Sequence, residues 1–138
     1  MYRSRQWHFP VSRSPMVKVV FVLRKKPGLS DEEFHRYWLE EHGNLVRKYA
    51  QALRLHRYVQ SHTVEPEIND SARKIRGTDR PHDGIAELWW KSMDDYAAAY
   101  SSDEGKEANA ALKADEEKFI DLANSTLWLC EEHMILEA

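Results

Sequence analysis

Seven consecutive residues, Val17 to Leu23 (VKVVFVL), constrain this chain most. In extended form they put Val17, Val19, Phe21 and Leu23 on one face and Val20 and Val22 on the other. A strand apolar on both faces must be covered on both sides, because neither face gains anything from contact with water. The rest of the chain has to supply those covers. Its 138 residues are enough for one domain with its own core, and too few for two.

Arg24-Lys25-Lys26-Pro27-Gly28 breaks the strand. Ser30-Asp31-Glu32-Glu33 follows as a capping box, whose hydroxyl and carboxylate satisfy first-turn amides and so start a helix. Phe34, Trp38, His42, Leu45, Val46 and Tyr49 recur at spacings of three and four, an inward stripe that Gly43 loosens at its middle. Leu53 to Val64 (LRLHRYVQSHTV) alternates with period two, with Leu55 and Val59 on one face and His56, Tyr58 and His62 on the other. Residues 65 to 83 make a long polar connection, of the kind that serves as a lid or binding element or stays disordered. Gly84 to Lys91 reads as a third strand with Trp89 and Trp90 on opposite faces. Ser92 caps a short helix through Tyr100, and Ser101-Ser102-Asp103-Glu104 opens a longer one to about Ala123. The last strand spans Ser125 to Leu136.

This order, β-α-β-β-α-β, predicts an α+β ferredoxin-like sandwich, with two helices on one face of a four-stranded antiparallel sheet. Two helices cover only one face. The apolar residues on both faces of the first, third and fourth strands therefore predict a homodimer that buries the sheet's other face against a second copy. Residues 1 to 16 (MYRSRQWHFPVSRSPM) read as an N-terminal tail outside a 17–138 domain. That tail is either flexible or an arm anchored on a partner subunit by Trp7 and Phe9, and Met16 offers an alternative start.

The tail's three arginines leave 17 basic against 23 acidic side chains in the body, so there is no basic footprint for nucleic acid. No apolar run approaches the ~18 residues of a membrane-spanning helix. A single cysteine, Cys130, excludes an internal disulfide and a four-cysteine zinc cage, and it suits the reducing cytoplasm.

His42 is the residue whose position asks for a reason, since its stripe faces the sheet. An imidazole beside aromatics can act as acid or base near neutral pH, or it can be a core histidine bonded to a carbonyl or carboxylate. Asp115 lies four residues from both Ala111 and Phe119, so its carboxylate shares their apolar face. It is expected to orient His42 or to hold an arginine such as Arg24, while Glu116 is expected to be solvated. Tyr58 and His62 share a strand face, as His133 does with Leu127, Leu129 and Ile135, so either set can line a pocket or sit at strand ends. A phenol at Tyr58 suits an enolate-like or phenolate-like oxygen. Phe34, Trp38 and Trp89 supply aromatic walls for an apolar or aromatic ligand, or simply core. No HxxxH or HExxH spacing points to a metal, and no glycine-rich phosphate loop points to a nucleotide cofactor, so neither is expected.

Arg24-Lys25-Lys26-Pro27-Gly28, then Phe34-His35-Arg36-Tyr37-Trp38 and His42, resemble the signature of the EthD domain family. Tyr58-Val59-Gln60-x-His62, Asp83-Gly84-x-Ala86-Glu87-Leu88-Trp89, Asp115-Glu116-x-x-Phe119-Ile120-Asp121 and Glu131-Glu132-His133 extend the likeness, in order, over about residues 17 to 136. The resemblance implies a dimeric α+β barrel with a small-molecule pocket between each subunit's helices and sheet. It also implies cofactor-independent proton-transfer chemistry, such as decarboxylation, dehydration or isomerisation, with cofactor-free oxygenation or an accessory role beside a P450 system as alternatives. Gly43-Asn44 stands where the family often has Ala-Pro, a departure next to His42.

Overall fold

The computed structural model describes residues 16–64 and 67–138. Four strands, β1 (Val17–Leu23), β2 (Arg57–His62), β3 (Gly84–Trp90) and β4 (Thr126–Cys130), form an antiparallel sheet in the order β2-β3-β1-β4. β1 is central, as its two apolar faces require. Its register sets Val19 opposite Leu88 of β3 and Leu129 of β4, and Tyr58 of β2 also pairs with Leu88.

One face is roofed by two helical layers. The first is a continuous rod made of α1 (Asp31–Arg36), a π-helical turn (Tyr37–His42) and α2 (Gly43–Tyr49). The second is α4 (Met93–Ser101) with α5 (Asp103–Glu116); α3 (Ile68–Arg76) lies between β2 and β3. Ser30 and Ser92 cap as the sequence predicts, accepting from the N–H groups of Glu33 and Asp95 at 3.1 Å each, while the cap of α5 is Ser102, which accepts from Gly105 at 3.0 Å, one residue later than a Ser101–Glu104 box implies. Beneath the roof, Val17, Val19, Trp90, Val46 and Leu112 form one apolar cluster, and Leu23, Phe34, Trp38, Ala86 and Phe119 form another. Gly84 is required at this seam, because a Cβ there would sit 2.3 Å from the Trp38 ring.

Three boundaries and one connection differ from the sequence expectation, the first two for a tertiary reason. β2 starts at Arg57, because Leu53 is drawn into the core in a turn where its carbonyl accepts from the Trp90 indole at 2.7 Å. α5 stops at Glu116, well before Ala123. There the Phe119 carbonyl accepts from the Lys26 N–H at 2.8 Å, and Ile120 pairs with Lys25, so cross-chain bonds replace helical ones. β4 ends at Cys130, and residues 131–138 continue as exposed, irregular chain. The 65–83 connection contains the exposed α3, terminated by Gly77 in the left-handed region at φ 68°. The N-terminal expectations, Trp7 and Phe9 included, lie outside the described residues, as do positions 65 and 66.

The sheet's other face carries Val20, Val22, Ile85 and Trp128, together with a Lys18–Glu87 ion pair. β4 is open on both faces, with Leu127, Trp128 and Leu129 each 42–51% exposed. Among the described residues no helix is long and apolar enough to cross a membrane.

Candidate active site

The π-helical turn decides where His42 points. In an α-helix, residues five apart are splayed by about 140°, so Tyr37 and His42 would face different directions. The i→i+5 pattern stacks them on one side, and the Gly43 N–H closes onto the Trp38 carbonyl. Both side chains then reach one carboxylate from the last turn of α5. The Tyr37 hydroxyl donates to Asp115 Oδ1 at 2.5 Å, and His42 Nδ1 lies 2.8 Å from Asp115 Oδ2. A carboxylate only accepts, so Nδ1 carries the proton and the neutral ring keeps a bare Nε2.

The electrostatics agree with that assignment. Burial lowers the His42 pKa and outweighs the hydrogen bond and charge of Asp115 that would raise it. Burial acts to raise the Asp115 pKa, but hydrogen bonds from Tyr37 and His42, with the charges of His42 and Lys118, hold it below the ordinary carboxylate value. A neutral imidazole therefore leans on an ionised aspartate. Glu116, the next residue, is three-quarters covered, and its Oε2 lies 3.8 Å from His42 Nε2. Burial, reinforced by the charges of Asp115 and Glu117, pushes its pKa up to about 7.

His42, Glu116, Tyr58, Trp38, Phe21 and Leu23 enclose a cavity of about 40 Å³ between helices and sheet. That is room for about one water. Burial pushes the Tyr58 phenol up to about 12, against hydrogen bonds from Gln60 and Trp38. Outside lies a groove of about 340 Å³ between α2 and β2, which shares Val46 and Tyr58 with the cavity as a common wall.

Of the residues singled out from sequence, His42, Asp115, Tyr58 and Trp38 are brought together here. Arg24 is not Asp115's partner; its backbone N–H donates to Ser125 Oγ. Phe34 is sealed in the core against Trp38, at 5.6 Å between ring centroids. His62 packs against Trp38 at 4.2 Å between ring centroids and does not line the cavity. Trp89 stands on the opposite face of the sheet, between the Arg57 and Lys18 cations at 4.6 and 5.1 Å, with its indole donating to Glu132. His133 lies in the exposed segment after β4, 3.7 Å from Glu131.

Two groups of the site were missed, Glu116 on the cavity wall and Tyr37 behind it on Asp115. Glu116 is largely covered, contrary to the solvated expectation, and its spacing of four from buried Leu112 was the available signal. Tyr37 carried none, because an α-helical wheel puts it off the stripe. Among the described residues no group of three metal-ligating side chains converges.

A model of the EthD domain matches residues 26–123. The chain belongs to the EthD domain family. Among solved structures this EthD-domain chain is similar to an EthD family protein from Bacillus halodurans, at 22% identity and TM-score 0.58, covering 86% of this chain and 99% of that one. It is also similar to the hydroxynitrile lyase of Passiflora edulis (14%, TM-score 0.57, 91% and 100% covered). A third likeness is to a dimeric ferredoxin-like protein of unknown function from Thermobifida fusca (10%, TM-score 0.55, 87% and 93% covered). At these identities the structural likeness carries the fold alone. No curated protein matches the chain.

Proposed function

We propose that this EthD-domain protein is a small-molecule enzyme that moves protons on an apolar or aromatic, oxygen-bearing compound without a cofactor, by decarboxylation, dehydration or isomerisation. The observation that carries this reading is the bare Nε2 of a buried His42, aspartate-held, at an apolar cavity shared with Glu116. His42 Nε2 takes a proton from carbon or hydroxyl, and Asp115 stabilises the imidazolium that results. Tyr58 donates to the oxygen on which negative charge develops. Glu116, protonated below about pH 7, is placed to return a proton. That a relative of the same fold is a hydroxynitrile lyase is in keeping with such chemistry.

The cavity alone is too small for a ring, so the body of the substrate occupies the groove between α2 and β2. Rotation of the Val46 side chain, which lines both spaces, joins them beside Tyr58 into a pocket of the ordinary ligand-binding size, roughly 300 Å³ and upward. The test is proton exchange in D2O on small carbon acids such as benzoylacetone, followed by NMR. His42→Gln is expected to lose about 100-fold or more of the wild-type rate. Equal rates in the two proteins would sink the proposal, and oxygen uptake by the wild type with such a compound would move the reaction to oxygenation.

We also infer that a second copy covers the sheet's open face and β4, giving a homodimer. The support is the exposed Leu127, Trp128 and Leu129, together with the dimeric Thermobifida fusca relative.

A further inference from the structure

Behind Tyr58 runs a chain of side chains whose hydrogen-bond directions can be worked out from one end. Gln60 Nε2 lies 2.8 Å from the Trp38 carbonyl, which can only accept, so that atom is the amide nitrogen. Its second N–H donates to the Tyr58 hydroxyl oxygen at 3.0 Å. Gln60 Oε1 then faces His62 Nε2 at 2.7 Å, and an amide oxygen accepts, so His62 carries its proton on Nε2. A neutral imidazole protonated there has a bare Nδ1. That atom lies 2.8 Å from His35 Nδ1, which must therefore be the donor. Ring contacts fix the geometry: His62 packs on Trp38 at 4.2 Å and on His35 at 4.9 Å.

We propose that His35, His62 and Gln60 form a one-way hydrogen-bond chain that locks Tyr58 as a donor into the cavity, so that the site selects a ligand with an acceptor oxygen. The Tyr58 oxygen is occupied as an acceptor by Gln60, and its own proton is left for the cavity it lines. His42 Nε2 is an acceptor on another wall. The matching ligand is a carbonyl compound with an acidic neighbouring C–H, or an enol or phenol, which offers an acceptor to Tyr58 and a labile proton to His42. His35, His62 and Gln60 are positioning residues, and none of them lines this cavity, although Gln60 also borders the groove outside it. The inference rests on reading the cavity as the active site.

Nitrogen-15 NMR of the imidazoles in the full chain tests the relay without any ligand, with assignments from a His62→Asn variant. The expected pattern is His62 protonated at Nε2 and bare at Nδ1, with His35 protonated at Nδ1. A His62 protonated at Nδ1 alone overturns the proposal. With 4-nitrophenolate as the probe, Gln60→Glu, whose carboxylate draws the Tyr58 proton away from the cavity, is expected to weaken binding about tenfold, as Tyr58→Phe does. If Tyr58→Phe weakens binding and Gln60→Glu does not, the relay is not what orients the phenol and the proposal fails. Absence of binding by the wild type overturns the cavity as a ligand site, and the His62 tautomer still decides the relay separately.

Discussion

At the scale of single residues, the chemistry rests on two adjacent carboxylates in opposite states. Asp115 and Glu116 are neighbours in sequence, yet one is held ionised by two donors and the other is pushed toward neutrality by burial beside it. The consequence for stability has a definite sign. Glu116 goes from an ordinary value of 4.5 to about 7, so the folded state holds the proton longer than the unfolded state. Its contribution is therefore most favourable below pH 4.5 and declines as pH rises toward 7. Glu116→Gln is expected to raise stability above pH 7 by up to about 3 kcal/mol and to do little near pH 4, read from urea midpoints across pH. His42 runs the other way: its lowered pKa gives stability that is full above 6.5 and lost as pH falls through the lowered value. Tyr37→Phe removes one of Asp115's donors, at an expected cost of about 1–2 kcal/mol. It should also raise the Asp115 pKa in an NMR titration, and an unchanged titration would exclude Tyr37 as a determinant.

At the scale of elements, the π-helical turn is the device that assembles the site. It amounts to one extra residue in the first helix, and it brings residues 37 and 42 toward the same side, where they share Asp115. Deleting Leu39, which is 59% exposed, is expected to return the rod to α-helical form with far-UV circular dichroism nearly unchanged. The His42–Asp115 bond and proton-exchange activity should be lost together, and their survival would show that the extra residue is dispensable. Gly84→Ala tests how the helix meets β3: its Cβ meets the Trp38 ring at 2.3 Å and the Ser61 carbonyl at 2.8 Å, where nothing gives easily. A loss of about 1–3 kcal/mol is expected in thermal or urea unfolding. The serine caps, the apolar stripe and the alternating strand of Tyr58 and His62 were all legible from spacing. The end of α5 was not, because Phe119 and Ile120 leave the helix to bond Lys26 and Lys25, nearly a hundred residues earlier.

At the scale of the whole molecule, the open sheet face and β4 set the expectation of a pair. Light scattering coupled to size exclusion is expected to give twice the monomer mass, and Trp128→Glu with Leu129→Glu to give a monomer that still melts cooperatively. A monomeric wild type would remove the dimer. The cations flanking Trp89 place that residue with this outer face and not with the cavity, which only the sheet's facing could decide.

By itself the sequence determined the order of the strands and of the helices that roof the sheet, though not α3, together with the antiparallel sheet with helices on one side and the inward positions of His42, Asp115 and Tyr58. Those properties are periodic, and periodicity over three, four or two residues is carried by neighbouring positions alone. Tertiary structure decided which buried groups meet: Asp115 with Tyr37 and His42, Glu116 at the cavity, and Gln60 between His62 and Tyr58. A side chain's face is a local property, but its partner depends on the distance between two elements, and no spacing within one element encodes that.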